Sequence, residues 1–327
     1  MKCTPIVPLL LLAAASAAPI ANGPSELLLA LNKGDHTLAI VDATTLQVLG
    51  KAASGPDPHE VVGSADGRLA YISNYTAGNG FANSLSVIDL TARKALPPID
   101  LGSLSRPHGL ALAGGRIYFT AEGSRSIGRY DPASHKVDWT LSTGQDGTHM
   151  IIASSDVRRL FTSNLGSASV CIIDAIGGDW RVTVVPVGRG AEGFDLSPDG
   201  KELWVANAQD GTVSIIDTAA KQVTLTVNVP FRRANRLKFT TDGTRVLISD
   251  LGAPELFVLD AASHAIVKRV DLGGGAAGIQ MAPDGSRAFV SVGSRNSVAV
   301  VDLKTLAVTS RIETGPGPDG LAWVATR

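Results

Sequence analysis

Charge is scarce in this chain and so are aromatic side chains: charged residues make up 18% and aromatics 5% of its 327 residues, with Lys and Arg (29) balancing Asp and Glu (30). No basic stripe or acidic tail interrupts that balance, which excludes a partner held mainly by electrostatics, such as nucleic acid or an anionic membrane surface. Cysteine is limited to Cys3 and Cys171. No apolar run approaches the about 20 residues that a membrane-spanning helix needs. The motifs G-x-S-x-G, H-E-x-x-H and C-x-x-C are missing as well, which removes the hydrolase-elbow and zincin readings.

What is present is glycine, 35 residues of it, with 17 prolines, set among Val, Ile, Ser and Thr, a composition that favours strands and tight turns over helices. The first residues form a unit of their own: Lys2, an apolar run from Ile6 to Ala15 that contains Pro8, and the small residues Ala15, Ser16 and Ala17. That is the pattern of a secretory leader. We expect residues 1–17 to be a signal peptide cut after Ala17, 18–25 a short linker and 26–327 a single domain of a periplasmic or secreted protein. Cys3 would leave with the leader, so the mature chain would form no internal disulfide. Cys171 lies inside an apolar run and is expected to be a small core residue.

The chain repeats itself. An apolar run ending in aspartate recurs at Asp42, Asp89, Asp131, Asp174, Asp217, Asp260 and Asp302, with spacings of 47, 42, 43, 43, 43 and 42 residues. A hairpin signal recurs with it: Asp66-Gly67, Asp199-Gly200, Asp242-Gly243 and Asp284-Gly285, with Gly114-Gly115 and Asp156-Val157 in the same place elsewhere. Asp-Gly between two apolar runs marks a tight turn because both positions tolerate positive φ. Four short strands fit each period, and blade five reads as 235–240, 244–249, 212–217 and 222–228. A period of about 43 residues with four strands is that of a propeller blade. The two ends complete each other: Glu26–Asn32 lacks the strand that should precede it, and Asp319–Ala325 supplies that strand. The expected fold is therefore all-β, a seven-bladed β-propeller of four-stranded antiparallel blades, closed by a C-terminal strand in the N-terminal blade. Closure leaves no open edge to invite aggregation, so a monomer is expected.

The segments LFTSN (160–164), VSIID (213–217), RPHGLAL (106–112), LSPDGKELWVAN (196–207) and GPDGLAWV (317–324) resemble the units of the YVTN-repeat family of propellers, YncE-like or lactonase-like in type. The resemblance covers essentially all of the expected mature chain. It implies that the aspartates and Asp-Gly turns belong to the fold. Relatives by fold include lactonases, a streptogramin lyase, surface-layer and cell-wall proteins, and copper enzymes such as nitrous oxide reductase, so function must be argued from whatever departs from the repeat.

The departures cluster at one channel mouth. One repeat position ahead of the hairpin turn carries His59, His108, His149, Glu192, Asn235, Ala277 and Asp319, which places three of the chain's six histidines in consecutive blades. Imidazoles with a carboxylate are ligands for Zn, Cu or Fe, so His59, His108, His149 and Glu192 form a candidate metal set. Without a metal, the same histidines could serve as general acid and base, or simply cap the strand, as His does in blades of this type. A second ring ends the following strand: Asn32, Asn74, Glu122, Asn164, Asn207 and Asp250, with Glu122 taken to replace the usual Asn. Its oxygen-rich character resembles the Ca²⁺ or other divalent-ion sites of gluconolactonase-like and paraoxonase-like propellers, though Asn there is also the repeat's own consensus. Glu192 and Glu122 are the candidate catalytic bases. Tyr75 opens an insertion, 75–83, on the same face, and Arg106, Arg125, Arg232, Arg233 and Arg236 flank the mouth, where they could hold a carboxylate, phosphate or sugar acid. The sequence thus supports a small-molecule, polymer or protein ligand at the mouth, with a metal-dependent hydrolase or lyase and a copper or redox protein as alternatives.

Overall fold

The structure is a computed structural model that describes residues 24–326; the expected leader and most of the linker lie outside the described residues. Almost every described segment is a strand. The strands form seven four-stranded antiparallel sheets. Blade one consists of Pro318–Ala325, Glu26–Asn32, Thr37–Asp42 and Val48–Ala53, innermost first, and each later blade runs in simple order along the chain. Blade five is Ala191–Leu196, Glu202–Asn207, Thr212–Asp217 and Gln222–Asn228. The runs near 235–240 and 244–249 belong to blade six, because the sequence repeat straddles two blades. The innermost strands touch in a closed circle that returns from Ala276–Met281 to Pro318–Ala325. Leu28 pairs with Trp323 and Ala30 with Leu321, which seals blade one.

Burial explains why the repeat takes this form. The two middle strands of a blade are apolar on both faces, as in Thr212–Asp217, whereas the outermost strand alternates, as in Lys136–Ser142. Each middle face must be covered by a neighbouring blade, so the core lies between blades: Trp204, Ile215, Ile248 and Phe257 form one cluster across blades five and six. Cys171 is free and buried in such a layer. Six of the seven repeat aspartates cap the turn that follows them, and Asp174 instead pairs with Arg159 and Lys221. Asp42 Oδ1, for example, accepts the N–H groups of Thr44 and Thr45 at 2.8 and 3.0 Å. At the hairpin turns Gly67, Gly200, Gly243 and Gly285 sit at φ of 71–74°, and Val157 occupies the same left-handed region at 56° where glycine is replaced.

A hydroxyl latch joins successive blades. Ser249 Oγ accepts the Arg236 N–H (2.9 Å) and donates to the Ala277 carbonyl in the next blade (2.6 Å). Thr120 makes the same connection between the Gly109 N–H and the His149 carbonyl. Ser249→Ala leaves both buried backbone groups unsatisfied and should lower unfolding free energy by about 1–3 kcal/mol, measured by denaturant titration. No helix among the described residues is long and apolar enough to cross a membrane.

Candidate functional site

His59, His108, His149, Glu192, Asn235, Ala277 and Asp319 are each the second residue of an innermost strand. The residue after them is Gly109, Gly193, Gly278 or Gly320 in four blades, and there the backbones nearly touch. A Cβ at Gly193 would lie 2.5 Å from the Asn235 carbonyl oxygen, and one at Gly320 would lie 2.3 Å from that of His59. Such close approach brings the ring side chains into contact around the axis. The centroids of His59 and His108 are 4.7 Å apart and those of His108 and His149 are 3.8 Å apart. His149 Nε2 lies 2.9 Å from Glu192 Oε1, which also accepts from Asn235 Nδ2 at 3.1 Å. Asp319 Oδ2 lies 4.0 Å from His59 Nδ1 on the other side.

A second tier covers this ring. Asn74 pairs with Pro58, Asn164 with Thr148 and Asn207 with Ala191, and the residue in that register in blade three is Ala121, opposite Pro107. Glu122 therefore does not replace the repeat Asn, as its place in the run IYFTAE suggested. It stands one residue further on, level with Tyr75 and Lys33, and each member of this column faces the ring residue of the next blade. Lys33 Nζ lies 2.7 Å from His59 Nε2 and 3.3 Å from Asp57 Oδ1. Tyr75 packs edge-on against His108 with centroids 5.2 Å apart. Glu122 Oε1 meets His149 Nδ1 at 2.5 Å, and its Oε2 accepts from Tyr75 Oη at 2.7 Å. Arg106 lies over the Tyr75 ring, its Cζ 4.3 Å from the centroid, with Nε 3.5 Å from Glu122. The insertion 75–83 is an ordered hairpin extension whose Phe81, 58% exposed, backs the same guanidinium.

Electrostatics divides the two buried histidines. Burial opposes a charge on His149, yet the carboxylates of Glu192 and Glu122 on its two nitrogens outweigh that and raise its pKa to about 9. Burial also opposes charge on Glu122 and Glu192, but the His149 imidazolium keeps both below the usual glutamate value. His108 goes the other way: burial first, then the neighbouring His149 charge, holds it well below 6.5 and hence neutral. Its Nδ1 is buried with no hydrogen-bond partner.

The other expected site residues are placed elsewhere. Asn74, Asn164 and Asn207 are buried and bonded within their own blades, to Ser84, to Ser169 and Cys171, and to Thr212 and Ser214. Asn32 binds Thr37 and the Thr314 carbonyl. Asp250 accepts the N–H groups of Arg232, Arg233 and Gly252. These side chains staple the strand end to its turn and offer no oxygen-rich ring to the mouth; Arg232 itself is exposed. Arg236 is buried and forms an ion pair with Glu60 of blade two across the channel, and its Nη1 is 3.8 Å from Glu192. Sequence reasoning missed Lys33, Asp57 and Glu60. Lys33 was detectable one column beyond the Asn ring, and Glu60 was detectable because it breaks a column of glycines.

The donor atoms that converge are those of His108, Glu122 and His149, all buried and within 4.8 Å of one another, so this group could hold a metal ion. His59, expected in that set, is turned to Lys33 and Asp57 instead, and Glu192 reaches the group only through His149.

Seven blades closed by their last strand around a polar, charge-balanced mouth define a seven-bladed β-propeller with a candidate ligand site at one end of its channel. Residues 110–287 match the YncE-like beta-propeller family, and the chain belongs to it. No curated protein matches the chain in sequence. Among solved structures it is similar to a functionally unknown protein of Desulfotomaculum acetoxidans (TM-score 0.77, 14% identity, covering 92% of this chain and 99% of that one). It is similar also to Kuenenia stuttgartiensis hydrazine synthase (0.69, 19%, 89% and 99%). A third is a candidate 6-phosphogluconolactonase of Bacteroides fragilis (0.72, 17%, 94% and 100%). At these identities the likeness is one of fold.

Proposed function

We propose that the protein is an exported binding propeller whose mouth takes a divalent transition-metal ion of the zinc class through His108, Glu122 and His149. The convergence of three buried donors, one of them a neutral imidazole with a free buried nitrogen, carries this reading. Two imidazoles and one carboxylate are a donor set for zinc, or for copper or iron, and a poor one for calcium, which takes oxygen ligands. The mouth is filled by its own side chains: His108 is 3% and His149 5% exposed. That favours an ion or a small molecule over a polymer or a protein.

An ion on His149 must displace the proton that Glu122 and Glu192 stabilise there, so binding should strengthen with pH. Below His149's pKa of about 9, the apparent zinc affinity should rise about tenfold per pH unit, with one proton released per ion. Titration calorimetry in buffers of different ionisation enthalpy reads both quantities, and His108→Ala should weaken binding at least about a hundredfold. Binding without proton release, or undisturbed by His108→Ala, would refute the assignment. A hydrolytic reading rests on the hydrogen-bonded chain Tyr75–Glu122–His149–Glu192. It fits the lactone-directed name of the Bacteroides structure. A bound ion would polarise a carbonyl there. Lactone hydrolysis that is lost on dialysis against chelator would support it.

A further inference from the structure

Two of the three side chains that would hold the ion have their outer atoms already engaged. His149 Nε2 lies 2.9 Å from Glu192 Oε1, and Glu122 Oε2 accepts from Tyr75 Oη at 2.7 Å. Their inner atoms, His149 Nδ1 and Glu122 Oε1, face each other at 2.5 Å. An ion shared by both side chains would therefore meet them at Nδ1 and Oε1, leaving each outer contact in place. Glu192 lies outside the converging donor set, and it is itself held. Ser163 Oγ donates to its backbone carbonyl at 2.7 Å, and the adjoining Gly193 abuts the next innermost strand. Its Oε1 also accepts from Asn235 Nδ2 at 3.1 Å and is 3.8 Å from Arg236 Nη1. Tyr75 packs against the rings of His59 and His108, with centroids at 4.3 and 5.2 Å, and Arg106 covers it.

We propose that Glu192 and Tyr75 are positioning residues for the metal. Glu192 fixes the His149 ring so that Nδ1 is the nitrogen offered to the ion, and Tyr75 fixes the Glu122 carboxylate so that Oε1 is the oxygen. This rests on the metal assignment above and adds which atoms bind. An imidazole that carries an ion on one nitrogen keeps its proton on the other, and the hydrogen bond made by that other nitrogen decides which is which. A carboxylate oxygen can only accept, so Nε2 remains the N–H and the proton displaced by the ion is the one on Nδ1. Outer partners of this kind orient a ligand and raise its basicity. The radial repeat is what assembles them: Tyr75 comes from blade two, His108 and Glu122 from blade three, His149 from blade four and Glu192 from blade five.

The test uses zinc and the whole protein. In the zinc-loaded wild type, long-range proton–nitrogen correlation spectra of histidine-labelled protein should show His149 as the Nε2–H form with the ion on Nδ1. Its signals are identified as those lost in His149→Gln. Zinc affinity, read by titration calorimetry, should fall about 10–100-fold in Glu192→Ala and about tenfold in Tyr75→Phe. Glu192→Gln should recover most of the loss, because the Asn235 and Arg236 donors select an amide oxygen at the place of Oε1. Melting temperatures check that the variants are folded, and the wild-type spectrum needs no variant fold. An ion on His149 Nε2, or zinc affinity unchanged in Glu192→Ala, would overturn this assignment while leaving the metal site standing. A wild type that binds no zinc, or binds it regardless of His108→Ala, would overturn the metal site and this assignment with it.

Discussion

His149→Ala should lower the unfolding free energy by about 3–5 kcal/mol near neutral pH, because it leaves Glu122 and Glu192 buried beside an empty space with no cation between them. The expected effect is pH-dependent, and its sign follows from linkage. The folded pKa of His149 is raised from 6.5 to about 9. Its contribution is therefore complete below 6.5 and is lost as pH rises toward 9. Glu122 and Glu192 are lowered from 4.5, so their contribution is present above 4.5 and is lost as pH falls through their folded values. The wild-type triad is thus worth most between 4.5 and 6.5, and a shift of this size in His149 corresponds to about 3 kcal/mol. Urea unfolding of wild type and variant across the acid range should show the difference shrinking by more than half as the carboxylates of the variant take up protons. A difference that stays constant with pH would mean that the histidine contributes packing and no charge.

Glu60→Ala should be nearly as damaging, again by about 3–5 kcal/mol, since it leaves the Arg236 guanidinium inside the channel with only the more distant carboxylates of Asp319 and Glu192 as counter-ions. The double variant Glu60→Leu with Arg236→Met should recover most of that loss, because two apolar side chains in place of a buried ion pair are close to neutral. The recovery is the informative quantity. Chemical denaturation of the two single variants and the double variant closes the cycle. If the double variant is as unstable as Glu60→Ala, the pair is held for some reason other than mutual neutralisation.

Blade number, closure and the histidine column were all legible in the sequence because a radial repeat imposes constant spacing, and equivalent positions return to the same height on the axis. That is why His59, His108 and His149, separated by 49 and 41 residues, could be expected to lie together. Glu122 was misaligned by one residue. Ala121 occupies the place of the repeat Asn, and in a strand one step in register sends a side chain to the opposite side, here out of the blade's interior and into the mouth. The Asn residues were over-read for the complementary reason: amides that staple a turn look, in sequence, like amides that await a ligand. Glu60 and Arg236 could be seen as charged departures from one column of glycines, but their pairing could not, since a contact across the axis between residues 176 apart leaves no local pattern. Nor does sequence tell that His149 is charged while His108 is neutral. That difference arises from which carboxylates the second tier places within reach.

The pairing of Glu26–Asn32 with Pro318–Ala325 has a consequence in time. These partners are synthesised at opposite ends of the folding unit, so the first blade stays a three-stranded fragment until almost everything else has been made. The ring cannot lock during elongation, and contacts of such long range form slowly. A nascent chain therefore remains pliable up to its final strand and then gains its cooperative unit in one late step. For a chain exported unfolded, as we propose for this one, that delay would be an advantage.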